Sequence, residues 1–478
     1  GTLRNVIYNG NFKIYTRQIL EDDNLDLSGA NNPVLASNMI PVYYDETNEV
    51  WKKADGKNEN KNYRWYSYEP DGEYKGMWAN AVTVKDTNRQ TYLNATPGTT
   101  ISMDDITTMW VWIPRFKVNT TDFTLVRGED VGYCYRRFVG QTDYTKEECE
   151  KLELDNDDFG WWTIYKPGAI DISFVKTSET AMDAFTFGNK ELNGFWYGKF
   201  EVSHSTLASS TTDNNLECTS YSCGNANGII IKPNVQSLRY NDLGRFFLAS
   251  RSMEQSGNSF GFVSTEVDTH ISKNNEWGAV AYLTQSIYGR CTSSTDCTEV
   301  YINNSEGFYT GRSGGDAAGS TPINGIYTDQ TFNKTTYNTY GFYTYDDYLL
   351  NYDTNTKGHK VKGKGTGAST TGTIYGIYDM SGGAYETVYG LYKYSIAGLD
   401  KKYYNTYRST NYMGHALNET ETWYMDDILD PSLYDTSRRY FFRGGMYNNG
   451  ASAGIFNVIS DNADPIYSVS SRFVITNE

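Results

Sequence analysis

Two stretches, IYGIYDMSGGAYETVYG (Ile374–Gly390) and YFFRGGMYNNGASAGIF (Tyr440–Phe456), decide how this chain is read. In the first, Asp379, Ser381 and the paired glycines Gly382 and Gly383 make a turn that only small or polar residues fit, because such a turn needs positive φ and local side-chain hydrogen bonds. In the second, Arg443 followed by Gly444 and Gly445 places a cation beside backbone that must approach closely. The GASAG run (Gly450–Gly454) matches a nucleophile elbow by spacing alone. That motif needs a strand before it and a helix after it, whereas Asn448 and Asn449 precede it and polar NVISDNAD follows, so a turn is expected.

Working outward, TMWVWIPRFKV (Thr108–Val118) and NGFWYGKFEVS (Asn193–Ser203) are aromatic or β-branched runs that read as strands. NDLGRFFLASRSM (Asn241–Met253) and SKNNEWGAVAYL (Ser272–Leu283) read as helices, the second with Trp277, Val280 and Ala281 on one face. Thr145 followed by Glu148 is a capping-box spacing and predicts a short helix carrying Cys149. Thr292 to Thr373 is rich in Ser, Thr, Asn, Gly and Tyr with little periodicity, and a loop region that long is either functional or disordered. Within it, GIYTDQTFNKTTYNTYGFYTYDDY (Gly325–Tyr348) is a second candidate surface, either stacking carbohydrate or packing over the domain. GKGTGAST (Gly363–Thr370) lacks the ending of a phosphate loop and reads as a plain loop. DNDD (Asp155–Asp158) lacks the spacing of a calcium loop.

Upstream, MIPVYYD (Met39–Asp45), EVWKKAD (Glu49–Asp55), YRWYSYE (Tyr63–Glu69) and MWANAVTV (Met77–Val84) read as strands separated by polar turns such as DGKNENKN (Asp55–Asn62). They predict a small β-rich module over 1–106, with ATPGTTISMDD (Ala95–Asp105) as the linker to a second domain over 107–478.

The net charge of −16 repels phosphate backbones and anionic lipid surfaces, so nucleic acid is not an expected partner. No apolar run approaches the ~20 residues a membrane helix requires. No signal peptide is visible, which reads as a mature or trimmed ectodomain. The six cysteines form three close pairs, Cys134 with Cys149, Cys218 with Cys223 and Cys291 with Cys297. Three disulfide loops in an oxidising compartment are expected. Free thiols are the other reading, since sequence alone does not fix connectivity. Zinc is disfavoured because no pair has C-x-x-C spacing.

In order along the chain, WVWIPRF (Trp110–Phe116), FWYGKFEVS (Phe195–Ser203), NNEWGAVAYL (Asn274–Leu283), IYGIYDMSGGAYETV (Ile374–Val388) and FFRGGMYNNG (Phe441–Gly450) resemble the motifs of the formylglycine-generating-enzyme type of C-type-lectin fold. The resemblance spans roughly Thr107 to Glu478 and implies an α+β, C-type-lectin-like domain behind the β-rich module. The arrangement is closer still to surface proteins of gut Firmicutes, which often carry an N-terminal prepilin-like segment. The end of the chain is similar to variable proteins diversified by retroelements, which share the RGG…NNGASAG frame. Their closing GFR-like motif is here SVSSRFVI (Ser468–Ile475), with Arg472 matching and the Gly-Phe absent.

Oxidases of the formylglycine-generating family bind copper through a C-terminal cysteine pair, and soft thiolates are what Cu(I) requires. No cysteine follows Cys297. Iron-dependent relatives need three histidines, whereas His204, His270, His359 and His415 are isolated. The calcium and sugar signatures of calcium-dependent lectins are absent as well. No catalytic residue, metal or cofactor is therefore assigned.

What the resemblance implies instead is a non-enzymatic cell-surface or extracellular ligand-binding protein, an adhesin or receptor-binding module. Its partner would be a protein or glycan on another cell or a host, with a pilus or surface anchor as a further partner. A metal-dependent oxidase, or a structural pilus or phage-tail component, are the alternatives. The display face would lie past Gly445 and comprise Met446, Tyr447, Asn449, Phe456, Asn457, Ile459, Asp461, Asp464, Ile466, Tyr467 and Ser468. That mix of aromatic, aliphatic, amide and acidic side chains is what paratopes use. Phe456 and Ile459 fit a core strand equally well. Trp110, Trp112, Trp196, Trp277 and Arg443 are assigned to the scaffold.

Overall fold

A computed structural model describes residues 24–119, 168–207, 212–303, 305, 307–312, 366–392, 395–407, 440–449, 453–462 and 464–477, with the backbone of short strands elsewhere. The chain is mixed α/β, rich in strands with few helices. Its main sheet is built from β1 (Ile40–Asp45), β2 (Val50–Lys53), β3 (Asn80–Val84), β4 (Ile106–Pro114), β5 (Gly194–Gly198), β6 (Val267–Ile271) and a C-terminal strand, Phe473–Asn477. The spatial order is β6, the C-terminal strand, β5, β4, β3, β1, β2, and every pairing is antiparallel.

The central strand β4 is buried over nearly its whole length. That explains its continuous apolar run, since a strand covered on both faces has no solvent side to alternate toward. Trp112 pairs in register with Trp196 of β5, their rings 5.3 Å apart and edge to face. Such pairs add to area burial. Trp110, Trp112, Trp196, Trp277 and Arg443 are all buried, as scaffold residues should be.

The partition expected at 106/107 does not correspond to a break in the sheet. β3 pairs with β4 across it, Asn80 opposite Val111, and one hydrophobic cluster runs from Ala30 to Ile475. ATPGTTISMDD is not a linker. Lys53 donates its N–H to Thr99, Gly98 to Lys53 and Ile101 to Trp51, so the segment straps the open edge of β2. Covering an edge in this way removes unpaired backbone groups from solvent. YRWYSYE is not a regular strand either: only Ser67 bridges, to Met77. Neighbouring Trp65 and Tyr66 are both buried, with Tyr68 close behind, which a period-2 strand with one wet face cannot arrange. Trp65 donates to the Asn80 carbonyl at 2.6 Å and the Tyr68 hydroxyl to the Trp112 carbonyl at 2.7 Å.

Helix α1 (Asp86–Asn94) was not expected from its polar sequence and buries none of its residues. Both expected helices form, α2 (Leu243–Ser252) and α3 (Asn274–Thr284). Asp242 caps α2 by accepting from the Arg245 N–H at 2.8 Å. All of α3 is buried, rather than the one face that the spacing indicated. The predicted helix around Thr145, the DNDD run and most of the Tyr-rich stretch lie outside the described residues.

A second sheet holds both decisive stretches. It comprises β7 (Tyr385–Tyr392), β8 (Asn405–Tyr407), β9 (Tyr440–Gly444), β10 (Gly454–Asp461) and β11 (Val469–Ser471). Its order is β8, β7, β9, β10, with β11 pairing to β7. The final strand of the main sheet, Phe473–Asn477, is β12. Disulfides join Cys218 to Cys223 and Cys291 to Cys297. The expected third pair, Cys134 with Cys149, lies outside the described side chains. Among the described residues, no helix is long and apolar enough to cross a membrane.

Candidate ligand-binding face

The face rests on a buried polar layer. Arg472, without solvent exposure, donates from Nε to Glu386 Oε2 at 2.8 Å and from Nη2 to Oε1. Its remaining donors reach the carbonyls of Gly198 and Tyr378 at 2.8 and 2.9 Å. Beside this pair, Asp379 adopts φ 65°, which a side chain rarely does. Its carboxylate accepts from Asn303 Nδ2 at 2.8 Å and from the Gly311 N–H at 2.8 and 3.1 Å, tying the 303–311 segment to the turn. Burial pushes the Asp379 carboxyl up to about 6, although Arg472 and these donors pull it down.

Glu201 is the third carboxyl of the layer. Its Oε1 accepts from the Ala384 N–H at 2.8 Å and its Oε2 from the Ser237 hydroxyl. Burial, and then Asp379 and Glu386 nearby, raise it well above the ordinary carboxylate range. Gly383, at φ +76°, is required here, because a Cβ would stand 2.3 Å from Glu201 Oε1.

Above this layer, four separate segments bring aromatic rings together. The Tyr447 N–H donates to the Gly383 carbonyl at 2.8 Å, and Tyr240 donates to Ile466 at 3.2 Å. Phe308, from the long polar region, sits between them. Its ring centroid is 4.8 Å from Tyr447, edge to face, and 6.4 Å from Tyr467. Tyr240 is 6.4 Å from Tyr467. The Arg239 guanidinium lies 4.1 Å from the Phe308 centroid, a cation–π contact. Its Nη1 donates to the Tyr467 carbonyl at 2.5 Å and its Nε to the Ser237 carbonyl at 3.4 Å. Tyr467 is 45% exposed while Phe308 and Arg239 are 5% and 7% exposed, so the cluster has a buried floor and an open rim.

The expected face residues therefore divide. Tyr447 and Tyr467 meet at the cluster. Met446, Asn449, Ile459 and Ile466 are half-buried, and Asp464 is exposed. Phe456, Asn457 and Ser468 are buried, which corrects their placement on a contact surface. Phe456 belongs to the hydrophobic core, as the core-strand reading allowed. Ser468 gives its carbonyl to the Tyr385 N–H at 2.8 Å where β11 begins. Asp461 ends β10, with its side chain outside the described residues. Arg239, Tyr240 and Phe308 were missed, and no sequence signal marks them. Tyr240 and Phe308 adopt φ 61° and 54°, conformations that neither residue type announces.

Of the histidines, His270 is fully buried between Asp268 and Glu276, 3.1 Å from each. His204 accepts two backbone N–H bonds at Nδ1. The side chains of His359 and His415 lie outside the described residues. Among the described residues, no three His, Cys, Asp or Glu side chains group so as to hold a metal ion.

No known protein-family model matches the chain. No curated protein sequence matches it either. Among solved structures, it is similar to Treponema denticola variable protein 1, at 11% identity and a TM-score of 0.25, over 76% of this chain and 99% of that one.

Proposed function

We propose that this chain is a non-enzymatic, extracellular or cell-surface ligand-binding protein of C-type-lectin-like type, using the aromatic face around Phe308 as its contact surface. One observation carries the reading: half-buried Tyr447 and exposed Tyr467 come from separate loops and converge on one ring. Tyrosine offers a large contact area for few rotatable bonds, and loops seated on a stiff frame favour recognition. Two disulfides are in keeping with an oxidising, extracellular setting. The partner is a protein or glycan on another cell or a host surface, and the role is that of an adhesin or receptor-binding module. A glycan array and a cell-surface pull-down with the whole chain test this. The Tyr447→Ala, Tyr467→Ala double variant should lose at least about tenfold in affinity, as expected for truncating central aromatic anchors. Undiminished binding would count against this face.

A further inference from the structure

Arg239 is a cation seated in the floor of the aromatic face described above. It is buried, at 7% exposure, and lies against Phe308. Burial lowers its pKa, though far too little to discharge a guanidinium. Its acceptors among the described residues are two carbonyls, those of Ser237 and Tyr467. The carboxyl that acts on it, Glu201, is engaged by the Ser237 hydroxyl and the Ala384 N–H, and Arg239 forms no ion pair among the described residues. An oriented guanidinium with donors to spare and no ion-paired carboxylate is built to receive one.

We propose that Arg239 makes this face selective for a saccharide carrying a single carboxylate, such as a uronic or sialic acid; this rests on the face being the contact surface. The surrounding rim suits a hydroxyl-rich ring. Tyr447, Tyr467 and Tyr240 offer ring faces for C–H contact and hydroxyls for hydrogen bonding. A polyanion is disfavoured by the net charge of −16, whereas one carboxylate meets the Arg239 guanidinium at short range.

The test uses the whole chain against an array of uronic- and sialic-acid-terminated oligosaccharides beside the same compounds with the carboxyl reduced to the alcohol. Wild type should bind the acids, and reduction should weaken binding at least about tenfold, the scale of one charge-assisted contact. Arg239→Met should abolish the preference, so that acids bind no more tightly than the reduced sugars. The reduced-ligand comparison involves no variant, so it stands even if Arg239→Met folds poorly. Equal binding of acids and alcohols, binding confined to acidic peptides, or absence of saccharide binding would each overturn the proposal. If acids bind selectively but Tyr447→Ala and Tyr467→Ala leave them bound as before, the face itself is misplaced and the proposal falls with it. If neutral ligands bind and need those tyrosines, the face stands and only the acid selectivity fails.

Discussion

Arg472 and Glu386 show what a single buried pair does for this molecule. Both are fully buried, and the guanidinium spends its other donors on two carbonyls. Removing one partner leaves the other charged in a medium that cannot solvate it, at a cost of roughly 3–5 kcal/mol. Glu386→Ala should therefore lose that much in urea denaturation, and Arg472→Ala about as much. Arg472 was legible in the sequence because a closing arginine is part of the motif it resembles. Phe308 was not. It lies in a polar stretch without periodicity, and its role depends on a positive φ and on neighbours from three distant segments.

At the level of the element, the Gly444–Gly445 corner fixes where the 446–449 loop begins. Gly445 has φ +77°, and a Cβ there would stand 2.6 Å from the Ala453 Cα, which is backbone and cannot swing aside. Gly445→Ala should cost more than about 1 kcal/mol, combining strained backbone with overpacking, and should weaken ligand binding by shifting Tyr447. Gly224→Ala, with ordinary φ and only ordinary contacts near 3.8 Å, serves as the neutral control. The Cys291–Cys297 loop closes a short segment, and replacing both cysteines with alanine should cost about 2 kcal/mol in the same assay. Strands and helices with strong period or continuous apolar character were readable in advance, β4 and α3 among them. YRWYSYE and ATPGTTISMDD were misread because their roles are set by what they cover. Aromatic rings plugging a core and a strap along an edge have no period of their own.

Across the whole molecule, buried ionisable groups on several elements set the response to pH. Burial raises Glu254 to about 7, with Asp268 adding to it and Arg251 opposing. Asp379 stands near 6. Burial alone would lower His270, but Glu276 and Asp268 on its two nitrogens raise it above its ordinary value. All three hold protons in the folded state that the unfolded chain releases at lower pH. Their stabilisation is fully present below the unfolded values, about 4 for the carboxyls and 6.5 for the imidazole, and is lost as pH rises through the folded values. Asp268 and Glu276 are lowered by their cationic partners, despite burial, and act the other way, losing their contribution only in acid. The urea midpoint should thus fall between about pH 5 and pH 8, and Glu254→Gln should flatten that slope. A midpoint that rises over this window would contradict the burial of these protons.

One sheet and one core run through the chain from residue 40 to residue 477, so the face is carried by the entire fold rather than by a detachable tail. Contact at that face can be read directly by placing a benzophenone amino acid in turn at positions 467 and 221 and irradiating the protein with cells or glycoprotein extract. Both native tyrosines are exposed, at 45% and 83%, but Tyr221, on the Cys218–Cys223 loop, makes no ring contact with the cluster. Adducts should form from position 467 and be absent from position 221. Adducts from 221 with none from 467 would place the contact surface elsewhere on the molecule.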